Sequence, residues 1–222
     1  MIEEIDVLEA KEKSVVSKFC YQFTKRSFDV VCSLLGCLVL LPIALVVKVM
    51  YMINGDFNSI FYTQKRIGKD GKEFNFYKFR TMVPNADEVL KKLLKQKKYK
   101  KQWESHHKID NDPRITKIGK ILRKTSLDEL PQLINVLKSD MSLIGPRPLV
   151  PGELDEHKGN HKIYESVKPG ITGWWASHGR SALTYQERLK LEYYYVQNQS
   201  LTLDIKCMFA TVMAVLKKTG AK

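Results

Sequence analysis

The chain has 222 residues, with 37 Lys and Arg against 24 Asp and Glu, a formal charge of +13. At 44% hydrophobic, 27% charged and 10% aromatic it has the apolar material for one folded domain with an appendage, which excludes collagen-like, low-complexity, disulfide-scaffold and wholly disordered chains. Five carboxylates fall within Met1–Lys13, so the remainder carries +16 and points to an anionic partner, whether phosphate, nucleic acid or membrane surface.

Glu3, Glu4 and Asp6 occupy the stretch where a signal peptide needs positive charge, so no secretory leader is expected. Ser14–Phe28 interleaves Val15, Val16, Phe19, Tyr21, Phe23 and Phe28 with Lys18, Lys25 and Arg26, which suits a segment at headgroup level. Val30–Val47 is eighteen uncharged residues, about 27 Å as a helix, near the minimum for a span. Pro42 lies inside it and predicts a kink or break, since the ring clashes with the preceding turn and removes an N–H. Lys25 and Arg26 precede the run and Lys48, Lys65 and Arg66 follow it, so both flanks carry the cytoplasmic signature. Charge therefore favours a helix that enters, breaks at Pro42 and returns over a single tilted span or a buried core helix.

Ile60–Met82 reads as a β-hairpin around Gly68-Lys-Asp-Gly71. Ala86–Lys101 reads as a basic helix whose lysines form a solvated face, Asp112–Lys124 as an amphipathic helix, and Tyr185–Asn198 as another. Leu201–Leu216 is too interrupted by Asp204 and Lys206 to span, and is either interfacial or core. Cys20, Cys32, Cys37 and Cys207 lack C-x-x-C spacing, and with His106, His107, His157, His161 and His178 they match no zinc pattern; they are expected reduced and structural.

The octet Thr125-Ser-Leu-Asp-Glu-Leu-Pro-Gln132 sets two carboxylates after Arg123 and Lys124 and before an apolar helix. Ser126 and Glu129 match a capping box, but Pro131 would then fall where a helical N–H is needed, whereas with Asp128 as N-cap it falls where none is. Asp128 is therefore expected at a helix mouth, kept ionised by the nearby bases, as a phosphorus nucleophile or Mg²⁺ ligand must be. Gly145-Pro-Arg-Pro148 presents one stiffly held guanidinium, suited to phosphate or carboxylate recognition or to an ordinary ion pair. Lys78, Arg80 and Arg180 carry weaker signals.

Lys78-Phe-Arg-Thr-Met82, Asn111-Asp-Pro-Arg-Ile-Thr116, Leu122–Gln132, Met141–Pro148 and Pro169-Gly-Ile-Thr-Gly173 together resemble the bacterial sugar transferases that are monotopic phosphoglycosyl transferases, from about Lys25 to about Leu216. The resemblance implies an α+β fold, mostly helical with a small β-hairpin, on a Pro-broken re-entrant membrane helix. It divides the chain into an N-terminal tail (1–24), the re-entrant helix (25–54), a cytoplasmic catalytic domain (55–200) and a C-terminal amphipathic helix (201–222), the catalytic module without the transmembrane bundle of larger members. It also implies transfer of a hexose 1-phosphate from a UDP-sugar, galactose or glucose first, to undecaprenyl phosphate on the cytoplasmic face of the bacterial plasma membrane, releasing UMP. Asp128 would form a covalent phosphosugar intermediate, Glu129 would assist, and both would hold Mg²⁺. Arg123, Arg147, Lys78 and Arg80 would handle phosphate, and Trp175, His178 and Arg180 would line the donor pocket. Ala176 and Ser177 depart from the glutamine and valine common at these positions, which bears on that pocket. Membrane lipids are expected partners and a homo-oligomer is left open. A non-catalytic basic adaptor is the competing reading, one that Asp128→Asn would leave intact. Lys91–Lys108, with Tyr99 and Trp103, has no nucleic-acid motif beside it, so no nucleic-acid partner is expected.

Overall fold

Asp70 and Gly71 both take the left-handed conformation, at φ 58° and 72°, and so close the expected hairpin between β1 (Phe61–Ile67) and β2 (Glu73–Phe79). The computed structural model describes residues 2–106, 109–177 and 184–216, and is mostly helical. The chain forms two compact units: Met1–Leu38, Gln64–Phe76 and Gln132–Gly220 make the first, Val39–Thr63 and Tyr77–Pro131 the second.

Helix α1 (Ile2–Ile53) runs without interruption through Pro42, so the break expected there is not shown. Within it, Ser17–Ile53 is long and apolar enough to cross a membrane by length and composition. Its buried positions, Asp29, Ser33, Leu40, Val47 and Tyr51, recur at helical spacing, while Leu35, Leu38 and Leu41 on other faces are 60–69% exposed. The helix therefore has a protein-facing stripe along an otherwise bare apolar surface.

In the first unit α1 is tied down by polar groups. Lys25 Nζ donates to Asp204 Oδ2 at 2.8 Å, and the Tyr21 and Tyr195 hydroxyls donate to the same carboxylate. Arg26 caps the C-terminal carbonyls of α5 (Gln132–Leu137), bonding Val136 O at 2.7 Å and Leu137 O at 3.1 Å, and Asp29 accepts the Leu143 N–H. The core gathers around a parallel pair, β3 (Ser142–Ile144) with β4 (Gly170–Thr172), which pairs Ser142 with Gly170 and Ile144 with Thr172. These strands, three residues each, were too short to show as an alternating pattern. Around them stand α6 (Glu153–Glu156), α7 (His161–Tyr164), α8 (Trp174–Ser177), α9 (Tyr185–Gln197) and α10 (Leu201–Leu216). A full capping box, Thr184 with Glu187, starts α9. In α10 Leu203, Asp204 and Cys207 are buried, as the core reading expects, whereas Leu201, Ile205 and Phe209 are exposed.

In the second unit the expected basic helix is two, α2 (Ala86–Leu93) and α3 (Lys97–His106). The amphipathic helix expected from Asp112 begins later, as α4 (Lys117–Thr125), because Asp112 and Arg114 form a buried bidentate ion pair across Pro113 and hold that stretch as a loop. Thr116 caps α4, its hydroxyl accepting the Gly119 N–H at 2.9 Å, and the Thr116 N–H bonds Thr81 O at 3.0 Å. Gly119 then presses on the same carbonyl, so that a Cβ there would stand 1.9 Å from Thr81 O. Only glycine lets α4 sit this close to the end of β2. Gly119→Ala is expected to destabilise the chain by about 3 kcal/mol or more, whereas Lys120→Ala one position on, at an exposed site, stays within about 0.5 kcal/mol. Equal unfolding midpoints for the two variants would contradict this seating of α4.

Candidate active site

Four of the residues singled out in the sequence meet in the second unit. Helix α4 ends at Ser126, whose left-handed conformation (φ 56°) returns its N–H to the carbonyls of Leu122 and Arg123. A single 3-10 turn, Leu127–Glu129, follows, and Pro131, which has no N–H to give, separates it from α5. Asp128 thus lies in a turn between helices and not at the N-cap of α5. The capping box does not form either: Ser126 is the C-cap of α4 and its side chain caps nothing. Glu129 turns instead to Lys78 near the end of β2, with Nζ to Oε1 at 2.9 Å. Arg123, on the α4 face that carries Gly119, donates from Nε to Thr81 Oγ1 at 3.0 Å.

Burial pushes the Asp128 carboxyl above its ordinary value; Lys78 and Arg123 draw it down, Glu129 pushes it up, and the net direction is upward. The bases expected beside Asp128 are present, but desolvation outweighs them. Arg80 is taken up within the protein: its guanidinium bonds Ser59 O, Met82 O and Asp56 Oδ2 and stacks 4.4 Å over the Tyr51 ring. Asp112 is held below the usual carboxylate range, where Arg114 and Arg123 overcome its burial. Sequence reasoning quoted its motif without giving it a role.

Arg147 and Trp175 belong to the first unit. Arg147 Nη1 donates to Glu153 Oε1 at 2.6 Å, and Arg188 Nη2 reaches the same oxygen at 3.4 Å. Burial pushes the Glu153 carboxyl up, but Arg147, the Val150 N–H and Arg188 outweigh it and leave it below the usual range. Behind the loop, Glu192 is wholly buried and its carboxyl is pushed up to about 8. Arg188 and Glu192 were missed in the sequence because a lone charge inside a helical pattern reads as surface, and Glu153 because its charged stretch between prolines reads as loop. A cavity of about 290 Å³ opens beside Pro146, Leu149 and Tyr164, but no Lys or Arg lines it, so it does not suit a diphosphate. Trp175 is half-buried in α8, and His178 and Arg180 lie outside the described residues.

The model of the family described as bacterial sugar transferase matches residues 20–218. The chain belongs to the bacterial sugar transferase family. It is 42% identical over 217 residues to the undecaprenyl-phosphate galactose phosphotransferase of Salmonella typhimurium, covering 97% of this chain and 45% of that protein. Its likeness to the exopolysaccharide production protein ExoY of Sinorhizobium fredii is 41% over 199 residues, 89% of this chain and 88% of the relative. A third relative, the UDP-N-acetylgalactosamine-undecaprenyl-phosphate N-acetylgalactosaminephosphotransferase of Aeromonas hydrophila, is 35% identical, with 91% and 46% covered. The chain thus spans under half the length of the two phosphotransferases and most of the length of ExoY.

The family resemblance implies Mg²⁺, and the donor set of the turn bears on it. Among the described residues no cluster of three or more His, Cys, Asp or Glu forms a metal cage. Mg²⁺ is commonly held by one or two carboxylates and completed by substrate phosphates, and Asp128 and Glu129 are the two carboxylates of this turn.

An aspartate whose folded pKa is raised costs stability once the unfolded chain ionises, so the cost is absent at low pH and grows as pH rises from near the ordinary value of 3.8. Asp128→Asn is therefore expected to raise the unfolding midpoint at pH 7, with the gain vanishing below about pH 3.5. A midpoint gain that is constant with pH, or a loss at pH 7, would contradict the burial of this carboxyl.

Proposed function

We propose that this chain is a phosphoglycosyl transferase that moves a hexose 1-phosphate from a UDP-sugar to undecaprenyl phosphate. The observation that carries the reading is the Asp128 turn: a desolvated carboxylate with Lys78, Arg123 and Glu129 beside it, in a chain of this family. Asp128 attacks the β-phosphorus, forming an aspartyl O–P bond as the bond to the UMP oxygen breaks. UMP leaves as the nucleoside monophosphate. An oxygen of the lipid phosphate then attacks the same phosphorus, forming the lipid diphosphosugar and returning the carboxylate. Desolvation makes the carboxylate a stronger nucleophile once ionised, and the cations of Lys78 and Arg123 offset charge that builds on the phosphoryl oxygens. Glu129 orients Lys78 through their ion pair. Mg²⁺, when bound by Asp128 and Glu129 together with the diphosphate, supplies further charge neutralisation. Galactose is the first donor sugar to test, since the Salmonella relative is named for it, and N-acetylgalactosamine the second.

With purified chain, undecaprenyl phosphate and Mg²⁺, a panel of UDP-sugars is expected to give UMP with one donor, and Asp128→Asn is expected to lower that rate by roughly 10³-fold or more. A mutant that retains the native rate would favour the basic adaptor reading.

The apolar segment of α1 is proposed to dip into the cytoplasmic leaflet and return, turning at Pro42, where the helix has no amide to donate. Support comes from tethers on both sides of the run. Arg26 and Asp29 bond residues 136–143, and the Tyr51 hydroxyl donates to Arg80 O at 2.6 Å. Each end of the run is thus tied to a part of the polar chain, and among the described residues no other segment is a candidate span. Cysteines introduced at Lys18 and Asn54, in a chain whose own four are replaced by alanine, are expected to react only from the cytoplasmic side. Labelling from opposite sides would contradict the return path.

A further inference from the structure

Arg147 has the only backbone N–H between Pro146 and Pro148, since proline has none. That single donor goes to Glu192 Oε1 at 3.0 Å, and the Tyr164 hydroxyl donates to the Arg147 carbonyl at 2.8 Å. The loop backbone is therefore gripped on both sides at this one residue. Glu192 stands in the interior of α9 with no exposed surface, and its second carboxyl oxygen has no hydrogen-bond partner. Burial outweighs the Arg147 amide, the Arg188 and Arg147 charges and the Tyr164 hydroxyl that favour this carboxylate, so it is costly to the fold. What it secures is the base of an arginine whose guanidinium is aimed by Glu153 at 2.6 Å, while 29% of the arginine side chain stays exposed.

We propose that Glu192 is a positioning residue of the transferase: by fixing the Arg147 backbone it fixes the point from which the partly exposed arginine side chain meets a substrate phosphate. The inference rests on the reading of Arg147 as a phosphate ligand. Glu192 acts through Arg147 and touches no substrate. Burial pushes the Glu192 carboxyl up to about 8, and glutamine, which keeps the acceptor oxygen at neutral charge, is the conservative replacement.

The test is UDP binding to the full chain in micelles with Mg²⁺, by calorimetry, for the native protein, R147A, E192L, E192Q and the R147A/E192L double variant, with unfolding midpoints measured alongside. R147A is expected to weaken UDP roughly tenfold, E192L by a similar factor, and the double variant no further, while E192Q stays within about threefold of native. A merely structural role for Glu192 would move the midpoint without this non-additivity. Native-like binding by E192L beside a weakened R147A, or losses that multiply in the double variant, would overturn the inference alone. Unchanged binding in R147A would overturn the reading of Arg147 beneath it, and a native chain that does not bind UDP would overturn both. Where E192L does not fold, Y164F, which removes the hydroxyl that bonds the Arg147 carbonyl and neighbours Glu192 without changing charge, replaces it in the cycle with the same outcomes.

Discussion

The carbonyls of Arg80 and Thr81, where the strand β2 runs out, are the junction on which the second unit depends. Arg80 O takes the Tyr51 hydroxyl, and with it the end of α1; Thr81 O takes the Thr116 N–H and sits against Gly119, and with them the start of α4. Once α4 is seated, Arg123 falls beside the Thr81 hydroxyl two turns after Thr116. The turn that follows then brings Asp128 and Glu129 back toward Lys78, which is on the same strand. Arg80 contributes to this arrangement as a brace, spending its guanidinium on Asp56, Ser59 and Met82. A strand end, a glycine and a helix cap thus set the position of a carboxylate.

The chemistry of the turn follows from how it is cut off from its neighbours. Ser126 ends one helix in the left-handed conformation and Pro131 keeps the next from extending backward, which leaves three residues that neither helix absorbs. A carboxyl here is partly withdrawn from water yet has two cations within electrostatic reach, and it is held at a net cost to folding. Such a balance is what a nucleophile requires: too much pairing with Lys78 or Arg123 would make it inert, and full exposure would leave it solvated. Lys78 pairs with Glu129 and also acts on Asp128 through its charge.

Much of this was legible in the sequence where local rules decide. The hairpin follows from Gly68-Lys-Asp-Gly71 and the alternation of Phe74 and Phe76, and the helical reading of Tyr185–Asn198 matches α9. What escaped depended on partners far along the chain. Nothing near Asp112 announces that it would bury itself against Arg114 and delay α4, and nothing near Glu192 announces the proline loop it holds from 45 residues away. The expected N-cap at Asp128 failed for a related reason: the left-handed Ser126 is set by the way α4 ends, and the octet alone does not encode that.

The account stands or falls on Asp128 as the atom that takes the phosphosugar. The most direct measurement is the intact mass of the full chain after incubation with the active UDP-sugar and Mg²⁺ in the absence of undecaprenyl phosphate. The account predicts a gain of one hexose phosphate, mapped to Asp128, absent in Asp128→Asn and discharged when the lipid phosphate is added. Efficient turnover with no adduct on the native chain, or an adduct that persists in Asp128→Asn, would contradict it.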